Sequence, residues 1–156
     1  MGLMGMALDY AREKAPVSVL GSLDWLASAG FVVVAERGGP HESFGNLLVV
    51  FERSTLAVRI TRDRGQWSIE LAPGRGEFVP LNVLLTARDG GTPVPRDWRG
   101  SDRLPGVLPE GVEWPAVVPG VVAWLESGDR TTEIAEARDA WRSAMKRWWA
   151  SRGGQL

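Results

Sequence analysis

Hydrophobic and polar positions alternate most cleanly between residues 44 and 72. Leu56, Val58 and Ile60 alternate with Ala57, Arg59 and Thr61, and Trp67, Ile69 and Leu71 alternate with Gln66, Ser68 and Glu70. A period of two marks strands with one buried face. Ile60 can face Ile69 only across a connection with an even number of residues, either Arg64-Gly65 alone or Asp63 to Gln66. That register also sets Arg59 against Glu70 and Thr61 against Ser68, pairs suited to a wet face. Leu47 to Phe51 is apolar at every position and reads as a central strand whose two faces both need covers. A loop at Arg53-Ser54 would bring Phe51 to Leu56 and Val49 to Val58.

Helical patterns flank these strands. Pro16 to Ala29 places Val19, Leu20, Leu23, Leu26 and Ala27 on one side, with Gly30 as the stop. A strand from Phe31 to Glu36 and a turn-rich stretch from Arg37 to Ser43 follow. Val79 to Ala87 reads as a short helix with Leu81, Leu84 and Leu85 inward. Residues 88–120 hold Pro93, Pro95, Pro105, Pro109, Pro115 and Pro119 together with six glycines. They read as a long irregular segment anchored by Trp98 and Trp114, well beyond the usual loop of roughly 4–6 residues. Val117 to Glu126 is expected to be helical, interrupted around Pro119-Gly120. Thr131 or Thr132 opens the last helix, with Ile134, Ala137, Trp141, Met145 and Trp148 on one stripe. Residues 1–15 read as a flexible N-terminus. The whole, residues 1–156, is a single α+β domain: an antiparallel meander of about four strands with the N-terminal and C-terminal helices packed against it.

Composition removes several function classes. Eighteen Lys+Arg against nineteen Asp+Glu give a net charge of −1, so no overall field steers nucleic acid. The absence of cysteine excludes disulfides, thiolate catalysis and cysteine-ligated metal. The first residues lack the basic stretch of a signal peptide, and no apolar run approaches the roughly 18 residues that span a bilayer. A cytoplasmic protein without membrane attachment is expected.

Little in the chain promises chemistry. His41 is the only histidine, lies in Gly38-Gly39-Pro40-His41-Glu42, and reads as part of a surface turn. Pro73-Gly74-Arg75-Gly76 and Asp89-Gly90-Gly91 lack the lysine-then-hydroxyl ending of a phosphate loop and read as turns. Asp97, Asp102, Glu110 and Glu113 are scattered carboxylates of a solvated surface, and a hydrolase built on Asp97 and Asp102 is the weakest reading. No catalytic residue, cofactor or metal is predicted. The basic-aromatic run Lys146-Arg147-Trp148-Trp149 reads as a docked helix rather than a membrane anchor. Two clusters mix cations with an aromatic: Arg62 and Arg64 beside Trp67, and Arg96, Trp98 and Arg99. Arginine and tryptophan are interface anchors, and the interleaved Asp63, Asp97 and Asp102 favour a protein partner over nucleic acid. The competing reading for Arg62 is an internal cation–π contact with Trp67, its cross-strand neighbour.

The stretch Phe44-Gly45-Asn46-Leu47, then Val49-Val50-Phe51-Glu52 and Val58 to Trp67, resembles small bacterial immunity proteins of polymorphic toxin systems. The helix-to-strand junction Leu26 to Phe31 fits as well, and the likeness covers residues 17–87. The resemblance implies an inhibitor that binds and neutralises a cognate toxin, without fixing the residues that touch it. Recognition is assigned to Arg62, Arg64, Arg96, Trp98 and Arg99. The alternative is a small-molecule or peptide-binding module, its pocket lying between the sheet and the 88–120 loop and lined by Trp98 and Trp114.

Overall fold

The computed structural model describes residues 5–91 and 113–151. Five strands form one antiparallel sheet in sequential order: β1 (Val32–Gly38), β2 (Leu47–Arg53), β3 (Leu56–Asp63), β4 (Gln66–Ala72) and β5 (Val79–Pro80). The helices are α1 (Met6–Lys14), α2 (Val17–Ser28), α3 (Leu81–Asp89), α4 (Trp114–Glu126) and α5 (Thr131–Ser151). The architecture is α+β, with one short strand more than the alternation predicts. Val79, expected to start a helix, instead pairs with Leu71, and Pro80 pairs with Glu70 at the sheet edge. An edge is where proline's missing donor costs no ladder bond.

The β3–β4 register is the one required by the alternation. Ile60 faces Ile69, Val58 faces Leu71, Arg59 faces Glu70 and Thr61 faces Ser68. The loop is Arg64-Gly65, with φ of 52° and 81°, the positive pair of a type I′ turn. The β2–β3 register differs from expectation by two residues. Phe51 meets Val58 and Val49 meets Ile60, because Arg53 still pairs with Leu56 and the turn is Ser54-Thr55. A slip of two keeps every side chain on its own face, so the core assignment survives.

Leu47, Val49, Phe51, Val58, Ile60, Ile69 and Leu71 point to one face and are at most 3% exposed. The apolar sides of α2, α3, α4 and α5 join the same cluster through residues such as Leu26, Leu84, Val121 and Ile134. On the opposite face Leu48 and Val50 are half-buried and lie outside that cluster. The C-terminal helix is seated beside α3, where Trp141 Nε1 donates to Thr86 Oγ1 at 3.0 Å.

Local signals explain the ends of the elements. Gly30 (φ 88°) ends α2 in a Schellman motif, with Gly30 N–H bonded to Ala27 and Phe31 N–H to the Leu26 carbonyl at 3.0 Å. α4 runs unbroken through Pro119, against the expected interruption, and begins three residues earlier than expected, at Trp114. Trp114 is 5% exposed and packs in the core as the first residue of α4.

Residues 6–14, placed by the sequence reading in a flexible terminus, form a helix because of a bulge in β1. Val33 pairs with Phe51 and Ala35 with Val50, which leaves Val34 as the extra residue. The bulge reverses the alternation beyond it, so Glu36 shares the inner face with Val49. There its carboxylate accepts the N–H groups of Gly5 at 2.6 Å and Leu8 at 2.9 Å. A carboxylate on the first N–H groups satisfies orphan donors and complements the helix dipole. Ala7 and Ala11 then pack into the core.

Candidate functional site

The end of the sheet formed by the β3–β4 turn carries two of the four non-glycine residues with positive φ among those described, Phe44 and Arg64. After β1 the chain makes a tight loop, closed by Gly39 N–H to the Asn46 carbonyl at 2.9 Å and Gly45 N–H to the Glu42 carbonyl at 3.0 Å. Within it Phe44 has φ 61° and ψ 13°. The left-handed region costs a non-glycine residue roughly 1–2 kcal/mol. The ring gains no burial in return: Phe44 is 72% exposed.

Two side chains fix this loop to the neighbouring strands. Arg62 Nη1 donates to the Gly45 carbonyl at 3.1 Å and reaches that of Phe44 at 3.5 Å. Asn46 Oδ1 accepts Arg64 N–H at 2.7 Å, joining the loop to the hairpin turn. Arg62 is held from below, with its guanidinium 5.8 Å from the Tyr10 ring centroid and 5.9 Å from that of Trp67. Its Nε is buried without a hydrogen-bond partner. A Cβ on Gly45 would collide with Arg62 and with Tyr10 Oη, so the loop rests directly on this arginine.

The predicted pair at the tip therefore divides. Arg62 is engaged in the internal cation–π contacts and with the loop carbonyls, and it also lines the hollow beside the loop. Arg64 is exposed, and its guanidinium makes no hydrogen bond or ion pair among the described residues. Arg96, Trp98 and Arg99 lie outside the described residues, as do Asp97, Asp102 and Glu110. Phe44 was missed by sequence reasoning, which read the stretch before it only as turn-rich. The available signal was a large aromatic wedged between a turn and Gly45-Asn46.

Beside this loop the surface dips into a hollow of about 380 Å³ whose lining includes Arg37, Glu42, Asn46, Leu48, Arg62 and Asp63. Two cationic and two anionic side chains line it together with Leu47 and Leu48. This lining offers register for a mixed protein surface and no continuous track for phosphates. His41 is exposed in the adjoining turn. Among the described residues no group of three or more His, Asp or Glu side chains is placed to hold a metal ion. No described helix is long and apolar enough to cross a membrane. No protein-family model, curated protein or solved structure matches the chain.

Proposed function

We propose that this chain is a non-enzymatic protein-binding protein that offers Phe44 and Arg64 to a protein partner. The observation that carries the reading is Phe44: an apolar ring on a left-handed backbone, held outward by Arg62 and Asn46. Strain kept at an exposed position has no folding benefit and is characteristic of binding surfaces. Pre-organisation of the loop lowers the ordering cost on association. Arg64 supplies an exposed cation on the adjoining hairpin turn, unpaired among the described residues, and the hollow at Leu48 receives a partner side chain. In its particular form the proposal is an immunity protein, with a toxin domain as the partner and cytoplasmic residence, following the resemblance of residues 17–87. Catalysis has no part in it.

The test is co-expression with the products of the adjacent reading frames, followed by size exclusion and titration calorimetry. The expected result is a stable complex that Phe44→Gly and Arg64→Ala each weaken by about tenfold or more. A complex indifferent to both changes would overturn the assignment of this surface. Failure of any neighbouring product to bind would overturn the immunity reading.

A further inference from the structure

A second concavity lies at the other end of β3, roughly 25 Å from the hairpin tip by strand rise. The turn at Pro73–Arg75, the end of α4 and the start of α5 enclose a groove of about 640 Å³. That volume is within the range of small-ligand sites. Val79, Leu125 and Ile134 form its floor, each no more than 7% exposed. Gly74 leaves the entrance open, since a Cβ there would meet nothing within 4 Å.

Four charged groups line the groove, and two are already committed. Asp129 Oδ1 accepts the Thr131 N–H at 2.9 Å and also the Thr131 hydroxyl. Arg130 donates to the Trp124 carbonyl, to Ser127 Oγ and to Glu133, and it stacks on Trp124. The remaining pair is Arg138 Nη1 to Glu77 Oε2, 2.9 Å apart. Its members are unequal: the Glu77 side chain is 82% exposed and that of Arg138 28%. Glu77 can leave for water at little cost, because exposed ion pairs contribute at most about 1 kcal/mol. Arg138 cannot be left unpartnered as cheaply.

We infer that this groove binds a small monocarboxylate with an apolar body, whose carboxylate replaces Glu77 on Arg138 while the body covers Val79, Leu125 and Ile134. A cationic ligand would have to take Glu77 and strand the more buried Arg138. A dianion would meet Asp129 and Glu77 together. The exchange conserves the Arg138 ion pair and takes the ligand's own apolar body out of water, so the single charge is selected by the groove itself. The site is independent of the surface around Phe44.

The experiment is a backbone-amide NMR titration of the full chain with 4-phenylbutyrate, against 4-phenylbutylamine and 4-phenylbutanol. Saturable shifts at Gly74, Gly76, Gly128 and Ala135 are expected with the acid alone. Arg138→Gln should weaken binding about tenfold, the usual loss when a charge-assisted contact of about 1.4 kcal/mol goes. Glu77→Gln should tighten it severalfold, because the internal competitor is gone. Equal binding of the amine, indifference to Arg138→Gln, weakening by Glu77→Gln, or no shift with the acid would each overturn the inference. Glu77 is a surface residue, so its variant keeps the test decisive even where Arg138→Gln perturbs α5.

Discussion

Arg62 reaches the backbone of Gly45 at 3.1 Å and thereby connects the exposed loop before β2 to the aromatic pair beneath the sheet end. The side chain of Arg64, two residues along, makes no hydrogen bond or ion pair among the described residues. The two arginines should respond oppositely to substitution. Arg62→Ala removes backbone hydrogen bonds and two ring contacts, an expected loss of roughly 2 kcal/mol. Arg64→Ala should change stability by less than about 0.5 kcal/mol. Urea denaturation of both variants checks the contrast.

Phe44→Gly separates binding from folding. The ring is mostly exposed, so little burial is lost, and glycine accepts φ 61° without penalty. Relief of backbone strain offsets the greater entropy of the unfolded chain, and stability should stay within about 0.5 kcal/mol of the parent. Thermal melts and partner titration on one preparation decide it: an unchanged Tm with lost affinity is the expected combination.

Two helical glycines make opposite predictions. A Cβ on Gly21 would lie 2.8 Å from Cγ of Pro115, a rigid ring on α4, whereas a Cβ on Gly120 would lie 2.8 Å from Nη1 of Arg88, the far end of a long side chain whose other guanidinium nitrogens pair with Asp89. Gly21→Ala should destabilise by about 1–2 kcal/mol, because the α2–α4 contact must open. Gly120→Ala should be neutral or stabilising by up to about 1 kcal/mol, since a guanidinium can swing aside while helix propensity improves. Denaturant midpoints measured side by side provide the check.

Acid should loosen the start of α5. Hydrogen bonds from the Thr131 hydroxyl and N–H hold the Asp129 carboxyl below its ordinary value of 3.8. A depressed native pKa means the contribution is complete above that ordinary value and disappears as pH falls through the lowered one. Asp129→Ala should therefore be less stable than the parent at neutral pH, and the gap should close as pH drops below about 3.8. Denaturation at stepped pH follows the convergence.

The sheet was readable where two patterns constrained one pairing. Ile60 and Ile69 fixed the parity of the β3–β4 loop, and Arg64-Gly65 supplied residues able to take positive φ. At the preceding turn only parity was readable, because Thr55, a β-branched residue, looks like strand yet sits in the loop. The helix over 6–14 was invisible for a nonlocal reason: its first N–H groups are capped by Glu36, which faces inward only because of the bulge at Val34. The prolines of α4 hid its first turn, although Pro115 stands where a missing donor is harmless. At the hairpin tip the sequence located Arg62 and Arg64, but their division of labour depends on distances that no spacing encodes. Phe44 escaped notice because strain and exposure are properties of a folded backbone.

The irregularity in β1 has one more effect. Val32 and Val34 sit on the outermost ribbon with 60% and 51% exposure, a composition that invites stacking of one copy upon another. The additional residue puts the free donors and acceptors of that rim out of step with any straight visitor. A straight strand from a second copy therefore meets no continuous ladder along that rim.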